Sequence, residues 1–270
     1  MTTTLWEYPS QHYTSERGHE VGGGGGPRST MQGDKAYVGA TPSWILWQLL
    51  QRYTRPGDVV LDPMVGSGTT IDVCEDLGRK PMCFDLVPSR PDIRQSDARK
   101  LPLKDESVDF AFVDPPYSTH VDYSDDPRCI GKLNAAGEDG GLAYFQAIAK
   151  VIKEMHRTLK DRRYMALYVS DSFRKRRGKP GGTFMPIGFE IFSGLCELFR
   201  PIDVICVVRH NQKLDRGNWR KAAEDGNFYL RGFNYLFIMK KEEEGRGEDD
   251  EYIGPNAEEM GDEDEGYDEE

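Results

Sequence analysis

Four residues near the middle of the chain, Asp114-Pro115-Pro116-Tyr117, join a carboxylate, two imino acids and an aromatic ring. A carboxylate accepts hydrogen bonds from an amine, prolines restrict the direction of the backbone, and a tyrosine ring offers a flat face for stacking. The stretch before them, Val108-Asp109-Phe110-Ala111-Phe112-Val113, has the apolar character of a strand buried on both faces. The prolines forbid its continuation by removing backbone donors. Asp114 and Tyr117 are therefore expected to project beyond the carboxyl edge of a sheet, where open α/β sheets bind ligands. Taken alone, the stretch reads equally well as a strand closed by a Pro-Pro turn, and the upstream sequence decides between the two.

Upstream, Val59-Val60-Leu61-Asp62 reads as a short buried strand and Pro63-Met64-Val65-Gly66-Ser67-Gly68-Thr69-Thr70 as a tight turn. A helix from Ile71 to Leu77, closed by Gly78, and a second strand, Pro81-Met82-Cys83-Phe84-Asp85, follow. This is a strand-turn-helix-strand unit whose second strand ends in an acid about 20 residues after the glycines, the arrangement of a nucleotide-type cofactor site. Gly66 and Gly68 allow close backbone approach, and the helix beginning near Thr69 presents unpaired N–H groups. Such a terminus suits a phosphate, yet the lysine of a phosphate-binding loop is missing and the spacing differs. Three acids at strand ends, Asp62, Asp85 and Asp97, make the site negative, which disfavours a polyphosphate and favours a cofactor with a cationic part and a ribose. Asp85 is placed for ribose hydroxyls and Asp97 for an adenine amino group. S-adenosyl-L-methionine, with its sulfonium and ammonium, fits this pattern.

The stretch Asp62–Thr70 resembles the cofactor motif of the amino-methyltransferases that modify adenine or cytosine in DNA, and Asp114–Tyr117 resembles their catalytic motif. Thr41–Tyr53 matches the helix that precedes the first motif, and Arg231–Lys240 is similar to the last hairpin strand, so the resemblance covers roughly residues 41–241. It implies a Rossmann-like class I methyltransferase fold, α/β, with a mainly parallel seven-stranded sheet, an antiparallel last strand and helices on both faces. It also implies cofactor contacts from Asp62, Pro63, Gly66, Gly68, Thr69, Thr70, Asp85, Leu86, Asp97 and Ala98. In the implied chemistry, Asp114 and the carbonyl of Pro115 accept the two hydrogens of an exocyclic amine. Its lone pair then leaves conjugation and attacks the sulfonium methyl in line. Pro115 and Pro116 preorganise the acceptors, and Tyr117 stacks on a base extruded from the duplex. Asp rather than Ser at the start of the motif favours adenine N6. Cytosine N4, or an amino group of guanine in RNA, is the alternative, and a catalytically silent module of the same fold is a third reading that the intact motif opposes.

The elements that must carry these groups follow from periodicity. Thr41-Pro42-Ser43 is placed to open a helix, Thr41 as cap and Pro42 at its first position, with Trp44, Ile45, Leu46, Trp47, Leu49 and Leu50 as apolar face. Ile93-Arg94-Gln95, Tyr164–Val169, Ile202–Val208 and Phe228–Met239 read as strands, and Ala143–Leu159 and Ile187–Phe199 as helices. Base reading is expected from the loops Ser118–Gly141, Ser172–Pro186 and Arg209–Asn227. In them Arg174, Lys175, Arg176, Arg177, Arg209, Lys213, Arg216 and Arg220 are candidates for phosphate contacts. Trp219 and Phe228 could stack on bases, with core packing the expected role of Phe228. His120, Asp122 and Tyr123 lack a second histidine at ligand spacing, and the chemistry needs no metal.

Charge and composition set the outer limits. Of the formal net charge of −11, the segment 242–270 carries −15, leaving the first 241 residues at +4. An acidic run of this kind is expected to be a disordered tail. Residues 1–40, with Gly22–Gly26 at their centre, are expected to be flexible, although Trp6, Tyr8, His12 and Tyr13 suggest that the extreme N-terminus docks. The methyltransferase domain then spans 41–241. Five scattered cysteines fit reduced thiols, and with no signal peptide or apolar span the expected location is cytoplasmic, with DNA as partner and no membrane.

Overall fold

A computed structural model describes residues 2–15, 19–20, 28–29, 31–34, 36–137, 139–175, 182–209 and 217–242. The expected acidic tail thus lies almost wholly outside the described residues, as do Gly22–Gly26, Arg176, Arg177, Lys213 and Arg216.

The strands are β1 Leu5–Trp6, β2 His19–Glu20, β3 Arg28–Ser29, β4 Val59–Asp62, β5 Lys80–Asp85, β6 Arg94–Gln95, β7 Val108–Val113, β8 Leu159–Val169, β9 Ser172–Lys175, β10 Gly182–Met185, β11 Arg200–Val208 and β12 Phe233–Lys240. The helices are α1 Ser43–Tyr53, α2 Thr69–Asp76, α3 Leu142–Thr158, α4 Ile187–Cys196 and α5 Gly217–Asp225. Eight strands form one sheet in the order β1-β11-β12-β8-β7-β4-β5-β6. All neighbours run parallel except β12, which is antiparallel to both β11 and β8. The expected Rossmann-like α/β sheet with an antiparallel last strand is therefore present, enlarged from seven strands to eight by β1. That extra strand forms because Cys206 N–H donates to the Thr4 carbonyl at 2.8 Å along an edge that would otherwise stay unpaired.

The strand β7 shows why the sheet is buried on both faces. Phe110 and Phe112 pack with Ile45, Leu46, Leu49 and Leu50 of α1, whereas Ala111 and Val113 join Ile148, Val151 and Met155 of α3. The period of two in the strand and of 3.6 in the helices puts these side chains face to face. Helix boundaries shift by a few residues from expectation: α2 begins at Thr69, and α4 stops at Cys196. Two differences matter more. The last strand begins at Phe233, so Phe228–Gly232, expected as strand, is loop. At α1, Pro42 occupies the cap position without a side-chain bond, and Thr41, expected to cap, turns its hydroxyl elsewhere.

The order of strands sets the place of the site. From β4 the chain winds outward through β5 and β6, then returns to β7 on the other side of β4. Val60 pairs with Phe110 and Leu61 with Ala111, so the turns that follow β4 and β7 leave the same sheet edge side by side. This is the switch point at which open α/β sheets form a crevice. No helix among the described residues is long and apolar enough to cross a membrane.

Candidate functional site

A cavity of about 570 Å³ opens at this crevice, within the range of small-molecule pockets. One part of its wall comes from Pro63, Gly66, Asp85, Leu86, Asp97 and Ala98, and another from Asp114, Pro116, Tyr117 and Arg209. Ten residues singled out from the sequence thus meet in one cavity. Asp62, Gly68, Thr69, Thr70 and Pro115 are not in its wall.

The reason is visible in the turn after β4. Asp62 is buried and accepts Thr70 Oγ1 at 2.5 Å and the Met64 N–H at 3.1 Å, so its carboxylate ties α2 to the strand instead of facing a ligand. Burial pushes its pKa up to about 7 against the pull of those two donors. Gly68 has φ +85°, and a Cβ there would lie 2.5 Å from the Arg90 guanidinium. Arg90 in turn pairs with the buried Asp72 at 2.8 Å. Gly66, at φ +51°, lies beneath the ring of Tyr37, 2.9 Å from where its Cβ would stand. Both glycines accommodate side chains of this protein where a ligand approach was expected, although Gly66 still lines the cavity.

Asp85 closes this end. Its oxygens accept the N–H groups of Gly66 and Val87, each at 3.0 Å, and burial raises its pKa while these backbone donors lower it. An ionised carboxylate offers about four lone-pair positions, so two backbone donors leave room for hydroxyls. Asp97 differs from expectation in one respect. Arg99, two residues on, grips it with Nε at 2.9 Å and Nη2 at 2.7 Å, and its own backbone N–H adds a third bond at 3.0 Å. These bonds lower the pKa of Asp97 and take up much of its capacity to accept from an adenine.

At the other end, Asp114 is held from both sides. Tyr117 Oη donates to Oδ1 at 2.7 Å and Thr41 Oγ1 donates to Oδ2 at 2.7 Å. Burial raises its pKa to about 7, opposed by the two hydroxyls and by the positive charge of Arg209. Tyr117 sits at φ −85°, ψ 72°, and the Ser118 N–H reaches the Pro116 carbonyl at 3.0 Å, an inverse γ-turn. Ser118 itself takes φ +61°, an uncommon conformation for a residue with a side chain. Its hydroxyl accepts the Ala135 N–H at 2.9 Å, and Tyr144 Oη anchors the Pro116 carbonyl at 2.8 Å. The turn is therefore fixed by α3 and by the loop before it. Pro115 is buried, and no donor among the described residues reaches its carbonyl.

Several lining residues escaped the sequence reading. Tyr37 and Thr41 come from the segment leading into α1, and Tyr123, stacked on Tyr37 with centroids 6.3 Å apart, from the loop after the Asp-Pro-Pro-Tyr turn. Ser170, Asp171 and Ser172 follow β8 as Asp114 follows β7, so the same strand-end rule would have found them. Asp171 accepts Tyr235 Oη at 3.0 Å and the Gly188 N–H at 2.9 Å. Phe228 lines the cavity and stacks on Phe173 at 4.2 Å, in place of the core role expected for it. Trp219 is also in the wall, and Tyr229 stands 89 % exposed at the rim. Of the candidate phosphate contacts, Arg209 lines the cavity, Arg220 is exposed on α5, and the backbones of Arg174 and Lys175 lie in the β9–β10 hairpin.

Comparison with known proteins adds a match over part of the chain. Residues 1–94 match a family described as DNA methylase, of the N6/N4 amino type. The match begins forty residues before the stretch in which the resemblance was first seen. The type II methyltransferase M.HinfI of Haemophilus influenzae is 31% identical over 70 residues, which is 26% of this chain and 20% of that protein. This chain therefore matches only about a fifth of the length of that curated relative. Among solved structures, a DNA modification methylase from Thermus thermophilus, complexed with S-adenosyl-L-methionine, is 16% identical, with 56% of each chain covered and a TM-score of 0.39. TrmN from Thermus thermophilus is 20% identical over 74% of this chain and 48% of that one, with a TM-score of 0.44. The cofactor-type turn and the Asp-Pro-Pro-Tyr turn thus leave one sheet edge, and residues 1–94, which hold the first of them, are similar to the N6/N4 DNA methylases.

Proposed function

We propose that this protein is an S-adenosyl-L-methionine-dependent methyltransferase that modifies an exocyclic amino group of a base in DNA, adenine N6 before cytosine N4. The observation that carries the reading is the pairing of β4 with β7, which puts the Asp114 carboxylate in the same cavity as Asp85. A cavity walled by Asp85, Asp97, Asp114 and Asp171 suits a ligand with a cationic centre, and Asp85 retains acceptor capacity for ribose hydroxyls. Bound there, S-adenosyl-L-methionine supplies an electrophilic methyl group on a sulfonium.

The residues of this chain would act as follows. Asp85, Leu86 and Ala98 hold the nucleoside part, and Tyr37, over Gly66, covers it. Asp114, in the cavity wall, would accept one hydrogen of the target amine, and the Pro115 carbonyl, which is not in the wall of this cavity, would have to be uncovered to accept the other, freeing the lone pair from the ring. The methyl acceptor would be that freed lone pair, and Asp114 would take up the proton that the methylated amine then sheds. The carboxylate must be ionised to accept, so transfer is expected to rise with pH through about 7. Tyr117, Phe173, Phe228 and Trp219 give aromatic faces for an extruded base, which a duplex base must become before it can reach the site. Arg209, in the cavity wall, is the residue we would assign to a phosphate contact.

The test is incubation of the protein with methyl-labelled cofactor and duplex DNA, followed by digestion to nucleosides. Label in N6-methyladenine supports the reading in full, and label in N4-methylcytosine moves the target within it. Label only in RNA guanine, offered in parallel, would replace DNA as substrate. Asp114→Ala is expected to reduce transfer by about 10²–10³-fold, the scale of losing one preorganised hydrogen-bonding group, with cofactor binding retained.

A further inference from the structure

We propose that Thr41 is a positioning residue for the catalytic carboxylate, its hydroxyl fixing Asp114 from the segment that leads into α1. This inference rests on the reading of Asp114 as acceptor of the target amine. Thr41 lies 73 positions before Asp114, on an element that belongs to neither motif, and its side chain reaches Oδ2 at 2.7 Å inside the cavity. Tyr117 binds the opposite oxygen at the same distance. Two donors on opposite oxygens stop rotation of the carboxylate about its Cβ–Cγ bond, and each oxygen keeps a lone pair for the incoming amine. Tyr117 comes from the carboxylate's own turn, whereas Thr41 holds it against a separate part of the molecule.

The local sequence explains why a threonine can do this. The helix does not use the hydroxyl: Pro42 is the cap and no side chain bonds the first turn. A β-branched side chain has few rotamers, and Pro42 restricts the backbone of the residue before it, so the hydroxyl is aimed at little entropic cost. The segment is itself clamped. Gln11 Nε2 donates to the Ala40 carbonyl at 2.7 Å, the Ser43 N–H donates to the Gln11 carbonyl at 2.9 Å, and the Tyr13 N–H reaches Ser43 Oγ at 3.3 Å. The N-terminal segment thereby sets the position of Thr41, and through it the carboxylate. Burial opposes ionisation of Asp114, and the Thr41 donor is one of the groups that favour the charged form.

The test uses the full chain with Thr41→Val, which keeps the shape and removes the donor, and Thr41→Ser, which restores it. In Thr41→Val, kcat for methyl transfer is expected to fall by about 10–100-fold with KM for the cofactor within about twofold, and the acid limb of kcat to move to higher pH. Thr41→Ser should recover most of kcat and return the limb. The carboxyl titration of Asp114, followed by carbon NMR, gives a readout independent of turnover and should move upward in Thr41→Val alone. An unchanged kcat, limb and titration in Thr41→Val, with Asp114→Ala inactive, would overturn the role of Thr41 and leave the proposed function standing. Full activity in Asp114→Ala would overturn both.

Discussion

Asp114 concentrates opposing forces on one side chain. Burial favours its neutral form, while two hydroxyls and Arg209 favour its charged form, and the balance leaves its pKa at about 7. A carboxyl whose folded pKa lies above the unfolded value of 3.8 contributes stability that is fully present below that lower value and lost as pH rises through about 7. At pH 8 the folded protein therefore holds an ionised group it would be more stable without. Asp114→Asn is expected to raise stability at pH 8 by on the order of 2 kcal/mol, with the gain vanishing below about pH 4. Denaturant melts at the two pH values check this, and a variant no more stable than the wild type at pH 8 would contradict it. Asp62 carries a shift of the same size and direction, so the remaining pH dependence should persist in the variant.

The turns that follow β4 and β7 are built by opposite means. After β7, prolines and an inverse γ-turn lock the chain, with Tyr144 and Ser118 as anchors. After β4, glycines make room: Gly68 for the Arg90 guanidinium and Gly66 for the Tyr37 ring. Gly68→Ala must both adopt φ +85° and displace Arg90 from the buried Asp72. The expected loss is about 2–4 kcal/mol, from roughly 1–2 for the backbone and the rest from a weakened buried pair. Gly57 has φ +92° and open space around it, so Gly57→Ala isolates the backbone part at about 1–2 kcal/mol. Equal losses in the two variants, read by chemical denaturation, would show that Arg90 yields freely.

For the molecule as a whole, the described N-terminal residues pack on the sheet and on α1 and α2. Trp6 and Tyr8 are buried with Ile205, Val207 and Leu236, and Tyr13 and Ser15 donate to Asp76 at 2.9 and 2.5 Å. Gly33 N–H donates to Asp72 at 2.7 Å, and Asp34 N–H to the Ser67 carbonyl at 2.9 Å. One segment thus touches the far sheet edge, the cofactor-type turn and, by Thr41, the Asp114 carboxylate. Trp6→Ala is expected to cost about 3–5 kcal/mol, the usual range for a buried tryptophan, where a loose N-terminal segment would give none. Thermal unfolding of the variant decides between these.

Much of this protein is legible in local pattern. The apolar run of β7, its stop at two prolines, and the strand-turn-helix unit of Val59–Asp85 depend on periodicity and turn chemistry, which neighbours in sequence determine. That is why Asp85 and Asp114, which line one cavity, could be named as candidates before the fold was known. What stayed hidden depends on how side chains meet in space. A threonine before a proline looks like a helix cap until Asp114 is seen 2.7 Å away, and an aspartate just past a strand end looks like a ligand until Arg99 is seen gripping Asp97. Trp6 reads as part of an end that docks, but the place is visible only in the unpaired edge of β11. Spacing along the chain determines which elements form and where strands end. Which carboxylates remain open to a ligand, and which are taken by the protein itself, is decided only when tertiary packing brings the competing donors together.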